Sequence, residues 1–206
     1  MKIALILLAG GQSTRMGGPI PKTFLTIKGR PLIRYSFDLL TPLFPKTIVV
    51  APKPYHHLFP SHTQFAEPGL RRQDSVKNGF QDLQDFHYIL IHDGARPLIK
   101  KEDVQNLIEK GLHHPAAALA APVKNTLKRT RKGITETIDR TDLWETYTPQ
   151  LIRSDLLKQG LELNIPVTDE LTLVEALGHN PLLVPCIFPN IKLTYPSDLP
   201  LIEALL

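Results

Sequence analysis

An apolar run that ends abruptly at glycine constrains this chain more than any other feature. Ile3 to Leu8 is wholly apolar, and Ala9-Gly10-Gly11 follows with no polar transition. A run this short is far from the roughly twenty apolar residues of a membrane helix, and it suits a strand buried on both faces. Glycines at its exit let the backbone approach a ligand closely and aim successive N–H groups at it. Arg15 and Lys22 come next, on a segment that Pro19 and Pro21 keep from continuing as helix. Two fixed cations in a glycine-rich loop suit a polyphosphate. The loop is not a P-loop, because no Gly-Lys pair follows Gly11, and not a dinucleotide fingerprint, because Gly10 and Gly11 are adjacent. For the glycines alone, a tight βα turn with an incidental arginine is the alternative.

Strand and helix signals alternate from there on. Pro31 opens a helix with Leu32, Ile33, Ser36, Phe37, Leu39 and Leu40 at helical spacing, and Thr47 to Ala51 reads as a second buried strand closed by Pro52. A further helix runs through Val76, Phe80 and Leu83, and His87 to His92 is a third strand. A helix from Lys101, a small-residue strand over Ala116 to Ala121 and a helix over Ser154 to Leu163 follow. Thr168-Asp169-Glu170 caps one more helix through Leu177, Leu182 to Phe188 is the last strand, and Ser197 to Leu206 forms the terminal helix. This order predicts an α/β fold, a mostly parallel sheet flanked by helices. The chain, 206 residues long, suits a single domain over 1–206.

Residues 123–140 break the pattern. Thr, Leu and Ile alternate with charged residues on both sides of Arg131-Lys132-Gly133, which predicts a protruding β-hairpin. Such a β-arm is marginal alone, so it is expected to pack on something, with a second subunit one option and a plain surface excursion the other. Thr148-Pro149-Gln150 reads as the connection back to the next helix.

Several classes are disfavoured. The net charge of +4 is modest, and Lys124 to Lys132, the most basic stretch, contains no aromatic residue, so no nucleic-acid partner is expected. The N-terminal apolar run is too short for a signal peptide, and no segment suits a membrane, so a cytoplasmic protein is expected. Cys186 is the single cysteine, which excludes an internal disulfide and a zinc cluster built on cysteine. His56, His57 and His62 sit among prolines without a carboxylate or cysteine at ligand spacing and read as surface residues.

Two later motifs carry chemistry. Asp93, in His92-Asp93-Gly94-Ala95-Arg96-Pro97, falls at the carboxyl end of a buried strand, where open α/β sheets bind ligands. It suits a hydrated magnesium ion or substrate hydroxyls, with capping of the following turn as the alternative. Gly69 to Ser75, with Arg71 and Arg72, suits an anion or a base at a helix start, although Asp74 or Ser75 equally suits a cap.

Taken together, these motifs resemble the 2-C-methyl-D-erythritol 4-phosphate cytidylyltransferase family nearly end to end. The resemblance rests on R-M-G…P-K at Arg15 to Lys22, R-x-D-S-V at Arg72 to Val76 and H-D-G-A-R-P at His92 to Pro97. It continues through D-R-T-D-L-W…T-P-Q at Asp139 to Gln150, T-D-E at Thr168 to Glu170 and N-I-K-L-T at Asn190 to Thr194. It implies a Rossmann-like sheet, a homodimer through a swapped β-arm, and magnesium-dependent transfer of CMP from CTP to a polyol phosphate with release of pyrophosphate. Arg15, Lys22 and Lys192 would surround the triphosphate. Ala9, Gly10, Gly11, Gly69 and Ser75 would meet the nucleotide. Asp93, Arg96, Thr137, Arg153 and Thr168 would form the acceptor site, Thr137 coming from the partner chain. Ribitol 5-phosphate is the alternative acceptor. A guanylyltransferase would explain the first loop but not the later motifs, and a catalytically silent nucleotide-binding module would leave the retained cations without a task.

This sequence departs from the family pattern in places. Gly10 and Ser13 stand where alanine and glycine are commoner, Leu70 where an acidic residue is common, and Tyr147 where glutamine is usual. The arginine that follows T-P-Q in the family aligns with Ser154, one position after Arg153.

Overall fold

The computed structural model describes residues 1–11 and 13–206; Gln12, in the glycine-rich loop, lies outside the described residues. In chain order the elements are β1 (Ile3–Leu8), β2 (Thr26–Ile27), β3 (Arg30–Pro31), α1 (Leu32–Leu40), β4 (Thr47–Val50), β5 (Gln64–Ala66) and α2 (Arg72–Phe80). Next come β6 (Tyr88–Asp93), α3 (Lys101–Gly111), β7 (Ala116–Pro122), β8 (Leu127–Arg131), β9 (Ile134–Ile138) and β10 (Trp144–Arg153). The chain closes with α4 (Ser154–Glu162), α5 (Leu171–Ala176), β11 (Leu182–Pro185) and α6 (Leu199–Leu205).

A seven-stranded sheet, in the order β11-β7-β10-β6-β1-β4-β5, forms the frame. Its pairs are parallel except the two made by β10, which runs antiparallel to β6 and to β7. The unbroken apolar run of β1 follows from burial on both faces. Ala4, Ile6 and Leu8 pack towards Val76 and Phe80 of α2, while Leu5 and Leu7 face the opposite layer, where α1 and α3 lie. The small residues of β7 serve close packing: a Cβ on Gly111 of α3 would fall 2.8 Å from that of Ala117.

The fold is the α/β architecture expected, with differences that have physical causes. Thr148-Pro149-Gln150, expected as a connection, belongs to the central strand β10. Its first half is largely polar and Pro149 follows, both loop signals, yet Thr148, Gln150, Leu151 and Ile152 are buried between two neighbours. Proline is tolerated there because the register against β7 shifts between Thr146 and Gln150. The edge strand β5 is an addition to the expected elements, being too short to show a period. The hairpin of β8 and β9 forms its own two-stranded sheet. Its two-residue turn, Lys132-Gly133, has positive φ at both positions (50° and 80°), the geometry that favours tight hairpins. No helix among the described residues is long and apolar enough to cross a membrane.

Candidate active site

The parallel strands β1 and β6 end side by side, with Leu8 in register with Asp93. Because β4 and β6 flank β1 on opposite sides, the crevice above these ends is the switch point of the sheet. The exit of β1 is tied down at once. Ala9 donates its N–H to the Val50 carbonyl (2.8 Å), and the Thr23 hydroxyl donates to the Ala9 carbonyl (3.1 Å). Gly10 then passes so close to Pro68 that an added Cβ would lie 2.3 Å from the proline Cβ. Ser13, in the left-handed region at φ 56°, accepts the Lys22 N–H on its hydroxyl (2.8 Å), drawing the two ends of the loop together.

A cavity opens above this loop, walled by Gly10, Gly11, Arg15 and Lys22 on one side and by Gly69, Ser75, Arg72, Asp93 and Lys192 on the other. Gly69 is pressed against α2, where a Cβ would sit 2.3 Å from that of Asp74, and its N–H donates to the Ser75 hydroxyl (3.0 Å). The Arg15 guanidinium lies over the Tyr195 ring, 5.4 Å from its centroid. Burial, then the neighbouring charges of Lys192 and Arg15, push the Lys22 ammonium down to about 8. Cations crowded together at this energetic cost form a site that an anion relieves.

A second, smaller cavity adjoins the first and is lined by Arg96, Tyr147, Thr148, Gln150, Thr168 and Asp169. The two share one wall, made of Arg72, Asp93 and Lys192. Asp93 is nearly buried, and its two oxygens divide the cations. Arg72 donates Nε and Nη2 to Oδ1 (3.2 and 3.1 Å), and Lys192 donates Nζ to Oδ2 (2.6 Å). Burial raises the carboxyl, but Arg72, Lys192 and Arg96 outweigh it and hold Asp93 well below the usual carboxylate range. Arg72 also pairs through Nη1 with both oxygens of Glu170, whose side chain is fully buried.

Backbone and side-chain bonds set this wall in place. The Asp93 N–H donates to the Thr148 hydroxyl (3.0 Å), and that hydroxyl lies 3.4 Å from His92 Nδ1. The Arg96 carbonyl lies 3.2 Å from His92 Nε2. The network assigns the proton to Nε2, leaving Nδ1 to accept from Thr148. Burial pushes His92 down to about 4, so it stays neutral at physiological pH and acts as a rigid spacer. Lys192 is delivered by the Asn190–Leu193 segment. Arg96 donates Nη1 to the Asn190 carbonyl (2.7 Å), Asn190 donates Nδ2 to the Thr148 carbonyl (2.7 Å), and the Leu193 N–H donates to the Ala95 carbonyl (2.8 Å).

Most of the residues singled out by sequence thus converge here: Gly10, Gly11, Arg15, Lys22, Gly69, Ser75, Asp93 and Lys192 in the first cavity, Arg96 and Thr168 in the second. Three do not. Ala9 is buried one layer behind the loop, its N–H and carbonyl already bonded inward. Thr137 lies on β9 of the hairpin, exposed, accepting a hydrogen bond from Lys128 Nζ (2.6 Å). Arg153 sits at the opposite end of the sheet, in register with Tyr88 and paired with Asp155, because antiparallel β10 carries it away from Asp93. Sequence reasoning reads Arg72 as an anion contact at a helix start but does not join it to Asp93, and it does not single out Thr148, Gln150 or Glu170 as members of the site. Their motifs are visible in R-x-D-S-V, T-P-Q and T-D-E, but no spacing rule joins groups up to 98 positions apart.

The model of the 2-C-methyl-D-erythritol 4-phosphate cytidylyltransferase family matches residues 3–206. The chain is 38% identical over 220 residues to the chloroplastic protein of that name from Oryza sativa subsp. japonica, covering 99% of this chain and 74% of that one. It is also 38% identical over 213 residues to the protein of that name from Chlamydia pneumoniae, covering all of both chains. Among solved structures, the Francisella tularensis 2-C-methyl-D-erythritol 4-phosphate cytidylyltransferase superposes with a TM-score of 0.85 at 28% identity over the whole of both chains. The Thermus thermophilus structure of the same name gives 0.83 at 26% identity, covering 97% of this chain and 96% of that one.

Proposed function

The chain belongs to the 2-C-methyl-D-erythritol 4-phosphate cytidylyltransferase family, and on that footing we propose that it transfers CMP from CTP to 2-C-methyl-D-erythritol 4-phosphate, releasing pyrophosphate. One observation carries the reading of the site: a cavity lined by five basic residues and a polar cavity beside it share the wall of Arg72, Asp93 and Lys192. A nucleotide in the first and a polyol phosphate in the second would meet along that wall.

The chemistry asks for positioning and charge. A phosphate oxygen of the acceptor attacks the α-phosphorus of CTP; the new O–P bond forms as the bond to the pyrophosphate oxygen breaks. The nucleophile is already an anion, so no general base is needed, and the barrier is the approach of two anions and the charge on five-coordinate phosphorus. Arg15, Lys22 and Lys192 supply fixed positive charge in the nucleotide cavity. Gly10, Gly11, Gly69 and Ser75 shape its floor and offer backbone groups to base and ribose. Arg96, Asp93 and Thr168 face the acceptor.

Magnesium fits this site only in one way. Both oxygens of Asp93 are engaged by cations, and no group of three metal-ligating side chains occurs among the described residues. The divalent ion would therefore arrive on the phosphate oxygens of the nucleotide, where it neutralises charge. We assign the hairpin to a homodimer contact that would bring Thr137 to the partner's acceptor cavity. Ile134 at its turn is 74% exposed, and two isolated strands are marginal in water. Soluble phosphate substrates suit a cytoplasmic location.

Pyrophosphate release tests the reading, with CTP or GTP crossed with methylerythritol phosphate and ribitol 5-phosphate. Release is expected with CTP and methylerythritol phosphate. Activity confined to GTP or to ribitol phosphate, or none with any pair, refutes it.

A further inference from the structure

Glu170 touches neither cavity, yet it holds the wall between them. Its side chain is fully buried on the loop before α5, and Arg72 spans the distance from Glu170 to Asp93, one end of the guanidinium on each carboxylate. Lys192 completes a row of alternating charge: Glu170, Arg72, Asp93, Lys192. Glu170 is itself anchored, since its N–H donates to the Gln150 side-chain carbonyl (3.2 Å) on β10. A capping role does not account for the side chain, because no cap hydrogen bond is made by Glu170 at the start of α5.

From this arrangement we propose that Glu170 is a positioning residue for the transfer reaction: by holding one end of the Arg72 guanidinium, it fixes how Asp93 is shared between Arg72 and Lys192. The proposal rests on the functional reading given above. Its physics is that of a divided counter-ion. With Glu170 charged, Arg72 has two carboxylates, and Asp93 keeps enough free charge to hold Lys192. With Glu170 neutralised, Arg72 has Asp93 as its sole partner in the row, pulls that carboxylate towards α2 and loosens Lys192. One negative charge also disappears beside a site for polyanions. Lys192, released from its carboxylate, keeps its full charge for the nucleotide, so CTP binding is maintained or strengthened, while the displaced Asp93 costs the acceptor side its geometry. General loosening of the fold would weaken both.

The test is a double-mutant cycle in the full chain with Glu170→Gln, Arg72→Met and the pair. Steady-state pyrophosphate release and CTP calorimetry are measured for each. Glu170→Gln is expected to lower kcat/KM for methylerythritol phosphate about tenfold or more while CTP binds unchanged or up to about threefold tighter. Because Glu170 acts through Arg72, its substitution is expected to add nothing, within about twofold, in the Arg72→Met background. Glu170→Asp, which keeps the charge, is expected to recover part of the loss, and it replaces Glu170→Gln in the cycle if that variant does not fold. Parallel weakening of CTP binding and acceptor kcat/KM, or additive effects in the cycle, overturns the proposal. A wild-type chain inactive with these substrates overturns the functional reading instead. The CTP isotherms then decide the role of Glu170 alone, weaker binding in Glu170→Gln being the refuting result.

Discussion

Replacing Lys22 with methionine is expected to make this protein more stable and nearly inactive. Burial, then Lys192 and Arg15, bring the Lys22 ammonium from 10.5 to about 8. At 1.36 kcal/mol per tenfold, that difference corresponds to ~3 kcal/mol. Lys22 is only partly buried, and solvent screening takes about half, leaving ~1.5 kcal/mol. The sign follows from linkage. Below pH 8 the lysine is protonated in both folded and unfolded chains, and the folded state bears the whole cost. Between 8 and 10.5 the folded chain releases its proton first, so the unfolded state binds more protons and wild-type stability rises with pH. Lys22→Met lacks the charge throughout. Its melting temperature at pH 7 should exceed that of the wild type by about 3–6 °C, and the gap should narrow as pH is raised towards 10. Turnover should fall about a hundred- to a thousandfold, and wild-type kcat/KM for CTP should decline above pH 8 as the free enzyme loses this proton. Thermal melts at pH 7 and 9.5 with pyrophosphate-release assays measure all of this. A variant less stable than wild type by the same margin at both pH values, or one with near-normal turnover, refutes the reasoning.

Other substitutions probe the remaining parts. Arg15→Ala should cost about a hundred- to a thousandfold in turnover with circular dichroism unchanged. Gly10→Ala should lower stability in denaturant by about 1–3 kcal/mol, because its Cβ meets Pro68; adding Pro68→Gly should restore much of it. Thr148→Val should cost about 1–3 kcal/mol by chemical denaturation, since the Asp93 N–H and His92 Nδ1 lose their partner, whereas Thr148→Ser should stay near wild type.

The half of the site built from contiguous chain was legible in the sequence. A strand leaving the sheet at glycine, followed by cations, is a local pattern, and Asp93 at a strand end follows from the same geometry. The half assembled across the fold was not. Arg72 and Glu170 meet only because α2 and the loop before α5 both pack over the β1 and β6 ends, and residue types alone do not report that meeting. Strand β10 was obscured because a strand covered on both faces reads as an apolar run, whereas this one begins on the exposed side and turns inward at Thr148. Its direction also displaced Arg153: one antiparallel strand sends the residue after T-P-Q to the far rim. Ala9 shows another limit of adjacency, since it is next to the glycines in sequence yet buried behind them, bonded to Val50 and Thr23.

The course of β10 leaves the chain with a built-in optical gauge. Its first residue, Trp144, is the only tryptophan in the sequence; it lies at the root of the hairpin, opposite Pro122, and is 37% exposed. Indole emission moves to shorter wavelength as its surroundings dry. A surface closing over the hairpin root would therefore announce itself as a blue shift in unlabelled protein, and titrating protein concentration while watching that one fluorophore follows association directly. Four residues further along the same strand, the Thr148 hydroxyl accepts the Asp93 N–H, so the lamp sits within one short stretch of backbone from the wall of the two cavities.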